Sequence, residues 1–462
     1  MNSHDISLFP PQRVPTEIWT EIFDLCAPIE DLSDETTAEQ EKERLSKNYL
    51  IQFSQVCSLW HTLTLNTPSL WRVLIVDTTL WPGTGRSAAA LTALVRKSGN
   101  DPIRVEIAVS NTLVDVDVMN LLTAHSRRWT HFTLWTDVYS DYDPFRLLLP
   151  VKGNIPLLRF LEIATQWEEQ DWDAEYRSLF AAAPSLTRFY ATAPCDRITD
   201  VPWPQLKLFK WTLDYKKLTS DALAFLTRLP IPFVCLMVDV PDIIHVGEIP
   251  RLGHHVLSDV LQGLTLVISG GVSCMERVLH ALTSPGLRSL AVKGRFEDPA
   301  YAIWWDRDAL LPFIFRSKLG SSLRFLEVSR VLITADELLE CLQNLPLLED
   351  LLLAEGNDDL DDFFITDDLL VGLVVVDLVP RLTFLCLTSH IVFSEQSLEQ
   401  LVLGRVRRPV QAETTGDFDL KVFHLPESLG ALSTELLERM QNLERETEFE
   451  FQFTYAADPD FL

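Results

Sequence analysis

The sequence lacks most of what holds small secreted or metal-built domains together. Its seven cysteines stand at 26, 57, 195, 235, 274, 341 and 386, never within four residues of one another, so the C-x2–4-C half of a zinc site is missing. An odd, scattered set suits reduced thiols better than a disulfide framework, and points to the cytoplasm or the nucleus. Long apolar runs are also missing. The longest, Leu369 to Val376, is stopped by Asp377 and Pro380, far short of the roughly 20 residues that span a bilayer. The opening MNSHDISLFPPQ has neither the basic region nor the apolar core of a signal peptide. Positive charge is scarce: 39 Lys and Arg stand against 66 Asp and Glu, for a net charge of −27. Phosphate backbones and anionic membranes repel such a chain, which argues against nucleic acid or a membrane as partner. The expectation is a soluble intracellular protein.

Catalytic patterns are equally sparse. PGTGRSAAAL, from Pro82 to Leu91, echoes the end of a phosphate-binding loop. However, Leu80 stands where the first glycine is needed and Arg86 where a lysine should reach the phosphates. His245, His254 and His255 have no carboxylate or thiol at ligand spacing. GGVSCM lacks the closing glycine of a nucleophile elbow. Asp358, Asp359, Asp361, Asp362, Asp367 and Asp368 crowd one stretch, but Leu360 and Phe363 break the alternation of a calcium loop. No catalytic residue, metal site or cofactor is expected. An enzyme would need a deep pocket with clustered titratable groups, which these patterns do not foreshadow.

Apolar residues, by contrast, are plentiful. They make up 47% of 462 residues, with 25 Phe and 12 Trp. That is more than one compact core usually takes, so several domains or a repeat array is expected.

Near the start, VPTEIWTEIFDLC runs from Val14 to Cys26. Pro15 is acceptable only in a first helical turn, and Glu17 favours that positive end. At helical spacing Ile18, Trp19, Ile22, Phe23, Leu25 and Cys26 fill an arc of about 160°, against the ~100° stripe of an ordinary surface helix. A short helix with so broad an apolar face can bury one edge in its own fold and offer the other to a partner, or it can be buried throughout. An acidic stretch from Glu30 to Lys47 follows and reads as a solvated insertion. Then Tyr49, Phe53, Val56, Trp60 and Leu63 recur on one face of one or two helices. Asn66-Thr67-Pro68 ends them, because the residue before proline is pushed out of helical geometry.

These two halves, VPTEIWTEIFDLC and VCSLWHTLTLNTPSLWRVL (Val56 to Leu74), resemble an F-box of the kind found in the large F-box families of mushroom-forming fungi. The likeness lies in a Leu-Pro-like start with Val14 in place of leucine, Glu-Ile, an Ile-Phe pair, Val-Cys-x-x-Trp, and a closing Pro-x-Leu-Trp. It implies a three-helix module that binds the Skp-type adaptor, and through it the cullin, of a cullin–RING ubiquitin ligase. The implied adaptor contact comprises Val14, Pro15, Ile18, Trp19, Ile22, Phe23, Val56 and Trp60. Pro15, Ile18 and Ile22 would form its centre, with Val56 and Trp60 pinning the helices or extending it.

Downstream the phrase L-x-x-φ-x-φ, with φ apolar, returns. Leu158/Leu161/Ile163, Leu186/Phe189/Ala191, Leu206/Phe209/Trp211, Leu287/Leu290/Val292, Leu323/Leu326/Val328, Leu348/Leu351/Leu353 and Leu382/Leu385/Leu387 carry it, and weaker copies start at Trp129, Ile231 and Leu261. A single match arises by chance in about one window in ten, but proline sits two residues before the first position at 156, 184, 204, 285, 346 and 380, and again at Pro68 before Leu70. Between the phrases, Tyr176/Leu179/Phe180/Ala183, Ala222/Phe225/Leu226/Leu229, Met275/Val278/Leu279/Leu282 and Leu338/Cys341/Leu342/Leu345 follow helical spacing. Thr334-Ala-Asp-Glu337 is a capping box before the last of them. Strand then helix at 20 to 36 residues per unit is the rhythm of leucine-rich repeats. The Asn or Cys usual three residues after the last φ is replaced by Gln166, Pro194 and Asp214, so an irregular array is expected.

The expected fold is α/β: a small all-α module, then an irregular leucine-rich-repeat solenoid (a horseshoe) with parallel strands on its concave face. The expected boundaries are a tail over 1–10, the module over 11–76 with its insertion at 30–47, the solenoid over 77–410, and a cap and tail over 411–462. LTALVRKSGNDPIRVEIAV (Leu91 to Val109) and HSRRWTHFTLW (His125 to Trp135) resemble segments that follow the F-box in those fungal families. Strand alternation sends Phe160, Glu162, Arg188, Tyr190, Lys210, Ser289, Lys293, Phe325, Glu327, Asp350 and Phe384 away from the helices. Aromatics mixed with charges suit a protein-binding face, so these are the candidate contacts for an unknown protein substrate. The expected function is target recognition for a ubiquitin ligase. The alternative is a non-catalytic scaffold, with the helical module serving only as the cap that a terminal repeat requires.

Overall fold

A computed structural model describes residues 14–26, 49–77, 86–109, 116–136, 144–165, 176–192, 200–214, 218, 220–239, 256–269, 273–294, 303–305, 307–355, 364–374, 378–388, 393–406, 420, 422–426, 432–447 and 449–454. The tail, the acidic insertion, Pro82 to Gly85, the three histidines, Asp358 to Asp362, Gln166 and Pro194 lie outside them. The chain divides into two compact units, Met1–Leu206 with Leu462, and Lys207–Phe461.

The first unit opens with helices Thr16–Cys26, Tyr49–Val56 and Ser58–Asn66. Among its described residues it continues with strands β1 (Val73–Asp77), β2 (Ile103–Val109), β3 (Trp129–Thr136), β4 (Phe160–Thr165) and β5 (Arg188–Thr192). Each strand pairs in parallel with the next. Helix Arg86–Lys97 crosses from β1 to β2 and stops at Gly99, whose φ of 56° closes the helix in a conformation that costs glycine nothing.

The second unit repeats the plan. Its strands are β6 (Leu208–Asp214), β7 (Phe233–Asp239), β8 (Val256–Leu257), β9 (Gly263–Ser269), β10 (Leu282–Thr283), β11 (Ser289–Gly294), β12 (Ile303–Trp304), β13 (Phe325–Ser329), β14 (Val331–Leu332), β15 (Asp350–Ala354), β16 (Phe384–Thr388), β17 (Val422–Pro426) and β18 (Glu450–Thr454). The main sheet runs β6-β7-β9-β11-β13-β15-β16-β17-β18, parallel throughout, and two short parallel pairs, β10-β8 and β12-β14, lie apart from it. Parallel neighbours need crossovers. Helices Ser220–Arg228, Ser273–Ala281, Arg307–Arg316, Ala335–Gln343, Asp367–Val374, Glu395–Arg405 and Thr434–Glu446 provide most of them. The fold is mixed α/β, an open parallel sheet with strand and helix alternating as in leucine-rich repeats.

All ten copies of the repeated phrase fall on these strands, and every one of their three apolar positions is buried. The prolines have one job. In six copies the residue before proline accepts a hydrogen bond from the N–H of the phrase's first residue, as in Ala183 O to Leu186 N and Val379 O to Leu382 N, at 3.1 to 3.4 Å. Proline thus holds the second position of a tight turn, where its fixed φ is already correct. The turn aims the chain into the strand. Tyr176/Leu179/Phe180/Ala183 is buried as its spacing requires, but it forms a 3-10 turn over Tyr176–Ser178 instead of an α-helix. Ala183 already belongs to the Pro184 turn, which leaves too few residues for further helix. The capping box is present: Thr334 Oγ1 accepts from Glu337 N at 3.3 Å and Glu337 Oε2 from Thr334 N at 3.0 Å.

Arginines join successive repeats. Arg128 donates to Ser98 O (3.2 Å), Ser98 Oγ (2.7 Å) and Asp101 O (2.8 Å). Arg316 reaches Leu279 O (2.5 Å) and Leu282 O (2.9 Å). Arg405 reaches Leu373 O (2.6 Å), Leu378 O (2.5 Å) and Val379 O (3.2 Å). Each fork donates to carbonyls in or just past the last turn of the helix of the preceding repeat. Val379 needs this most: a β-branched residue at φ 41° is strained and persists only when its surroundings hold it.

Candidate functional site

The helical module is built round four rings. Phe23, only 1% exposed, stacks on Phe53 (centroids 5.0 Å apart) and meets Trp60 edge-on at 4.9 Å. Trp19 closes the cluster at 5.1 Å from Trp60. Cys57, extended between two helices, caps the second of them by accepting from Trp60 N at 3.5 Å. Leu63, Leu70 and Trp71 complete the core and Leu94 packs against it. Trp71 donates its indole N–H to Thr64 O at 2.5 Å, and Lys97 lies 3.9 Å above its ring.

With Trp19 and Phe23 turned inward, the first helix turns its remaining apolar residues out. Ile18 is 45% exposed and Ile22 38%. Val14 and Pro15 are exposed at the helix entrance, where Pro15 O accepts from Ile18 N and Trp19 N. Val56, at the break between the second and third helices, is 62% exposed. Glu17 and Glu21 lie beside this edge in water. The eight residues expected at one contact therefore divide. Val14, Pro15, Ile18, Ile22 and Val56 are at the surface, Trp19 and Trp60 are half-buried in the ring cluster, and Phe23 is core. Its burial removes Phe23 from any docking surface. The breadth of the apolar arc signals two environments but not which edge faces which.

The sheet faces turned away from the helices carry the other candidates. In the first unit Arg104, His131, Phe160 and Arg188 line up in register across β2 to β5. Arg188 is exposed and Tyr190 half-buried. Phe160 is buried under the Tyr190 ring at 4.9 Å, which takes it off the list of contacts. Glu162 is half-buried and accepts from Thr133 Oγ1 at 3.5 Å. Arg104 and Glu106, both buried on β2, form an ion pair at 2.5 Å; their alternation on a strand rich in apolar residues was the available signal.

In the second unit Lys210, Ser289, Lys293, Phe325, Asp350 and Phe384 are all half-buried. Glu327 is buried, its carboxylate 2.9 Å from Lys293 Nζ, and so is unavailable to a partner. Burial pushes the Cys386 thiol up to about 11, which leaves it a protonated, inert group at neutral pH. Asp350 is held above the usual carboxylate range by burial first and by Glu349 second. Phe233, 46% exposed, was missed. Its ring lies where a Cβ on Gly263 of the neighbouring strand would stand, 2.3 Å from ring carbon Cδ1. Alternation from the weak copy at Ile231 points to it. Among the described residues no group of three or more His, Cys, Asp and Glu could hold a metal ion, and no helix is long and apolar enough to cross a membrane.

No protein-family model matches the chain, and no curated protein sequence does. Solved structures with a similar course include the leucine-rich repeat-containing protein LegL7 from Legionella pneumophila. It is 12% identical over 75% of this chain and 90% of that one, with a TM-score of 0.38.

Proposed function

We propose that the chain is the target-recognition subunit of an SCF-type cullin–RING ubiquitin ligase, acting in the cytoplasm or nucleus. The helical module docks on a Skp-type adaptor, and the repeat sheet holds the protein to be modified. One observation carries the reading: the first helix packs Trp19 and Phe23 into its own core and leaves Ile18 and Ile22 in water. Large aliphatic side chains a turn apart on an exposed edge, rimmed by Glu17 and Glu21, have the anatomy of an interface core with a polar rim. The F-box resemblance names the adaptor that would cover them. The repeat sheet supplies an extended surface of aromatics and charges, the usual use of such arrays. Co-expression with the adaptor and its cullin tests the reading: the three should elute as one species on gel filtration, and separate elution would refute it.

The module's core also runs into Leu70, Trp71 and Leu94 at the head of the repeats. That continuity favours a second reading, in which the module is the cap of a scaffold with no role in ubiquitination. Separate elution of a fully folded chain is its signature.

A further inference from the structure

We propose that Phe325, Asp350 and Phe384, side by side on the sheet face of the second unit, form a seat for one arginine side chain of the bound protein. The proposal deepens the reading of this face as the target-binding surface and rests on it. Phe325 pairs in register with Asp350, and Asp350 with Phe384, on three adjacent strands. Neighbouring strands lie about 4.8 Å apart, so the two phenylalanines flank the carboxylate across a gap of roughly 9.6 Å. All three side chains are part-exposed on the same face. A planar guanidinium set over Asp350 would lie within about 6 Å of both rings, the range of a cation–π contact, while pairing with the carboxylate in its fork geometry.

Asp350 is in want of such a partner. Burial and the Glu349 charge both raise its titration, and among the described residues no cation or hydrogen-bond donor counters them. Arg324, just before the neighbouring strand, is paired elsewhere, with Glu349 at 3.4 Å. A half-buried carboxylate between two aromatics gains little for the free protein, yet it matches a cationic ligand in charge and shape. The net charge of −27 favours the approach of such a partner.

The test uses the full chain and three pentapeptides, acetyl-Gly-Gly-X-Gly-Gly-amide with X arginine, lysine or citrulline. Binding is read by saturation-transfer NMR in 0.15 M salt. The arginine peptide should bind with millimolar affinity, the lysine peptide more weakly, and the isosteric but uncharged citrulline peptide at least fivefold more weakly than arginine. Asp350→Asn should bring arginine down to the citrulline level, and Phe384→Leu should weaken it about threefold. Asp336→Asn, at an exposed position of the Ala335–Gln343 helix, should change nothing and so exclude general charge attraction. Equal binding of arginine and citrulline, no arginine binding, or full binding by Asp350→Asn overturns the proposal. An unchanged thermal midpoint shows that the Asn variant is folded. Adaptor binding measured on the same sample separates this outcome from failure of the ligase reading.

Discussion

Ile18 and Trp19 are consecutive in the chain and lie about 100° apart on one helix, toward the two edges of its apolar arc. The Trp19 ring sits 5.1 Å from that of Trp60, while nearly half of Ile18 is in water. The same division recurs one turn later, with Phe23 inside and Ile22 outside. A helix used only as a cap has no need of the outer pair.

This division makes neighbouring substitutions behave oppositely. Phe23→Ala opens a hole among the three remaining rings and should cost about 3–5 kcal/mol. Ile22→Asp replaces a side chain already 38% exposed and should cost no more than about 1 kcal/mol. Urea unfolding of the two variants checks this. A large loss for Ile22→Asp would mean that the edge is core after all.

The repeats were legible because their chemistry is local. An apolar residue before the strand, usually leucine, two alternating apolar positions and, in six of the ten copies, a proline two residues upstream all act within one turn and one strand. Helix type was less so: Tyr176 to Ala183 has helical spacing and full burial, yet closure by Pro184 shortens it to a 3-10 turn. The arginine forks were invisible, because Arg405 and its acceptors are 26 to 32 residues apart, a distance at which no local pattern operates. On the sheet face alternation assigns direction but not depth. Phe160 and Glu327 point away from the helices as expected and are nonetheless buried, by Tyr190 beside the first and Lys293 beside the second. At β1 the 3-10 turn Pro68–Trp71 shifts the register by one, so that Leu74 and Val76 are buried where Leu70 alone would suggest Val73 and Ile75.

Arg405→Met should be among the most damaging single changes. It keeps the stem but takes a donor from the carbonyls of Leu373, Leu378 and Val379, of which Val379 O still accepts from Leu382 N. Each buried polar group left unpaired costs about 1–3 kcal/mol, so a loss of about 3 kcal/mol is expected by chemical denaturation. Arg405→Lys should recover only part of it, since an ammonium cannot span three acceptors as a fork does. Full recovery by lysine would show that charge, not geometry, is what matters.

Two carboxylates seam consecutive helices. Asp367 accepts from Ser394 N and Oγ (2.8 and 2.9 Å), and Glu395 from Ser433 N and Oγ (2.6 and 2.7 Å). Both titrate below the ordinary range, Asp367 chiefly through the Ser394 N–H and Glu395 chiefly through the Ser433 hydroxyl. A group lowered on folding adds stability above its unfolded value, near pH 4, and loses it as pH falls through the lower folded value. Asp367→Asn and Glu395→Gln should therefore lower stability at pH 7, and the deficit should shrink as pH falls below about 4. The effect is small, because both groups are largely solvated. A gap of equal size at both pH values would contradict this sign.

The outward edge of the first helix is tested most directly by calorimetric titration of the full chain with the Skp-type adaptor. The double variant Ile18→Asp/Ile22→Asp is compared with Glu435→Gln, on the exposed face of the Thr434–Glu446 helix. Removing central anchors at an interface typically costs about 2–4 kcal/mol, roughly 30- to 1000-fold in affinity. The account predicts a loss of that size for the double variant while the chain still unfolds cooperatively, and parental affinity for Glu435→Gln. Parental affinity in the double variant would contradict it.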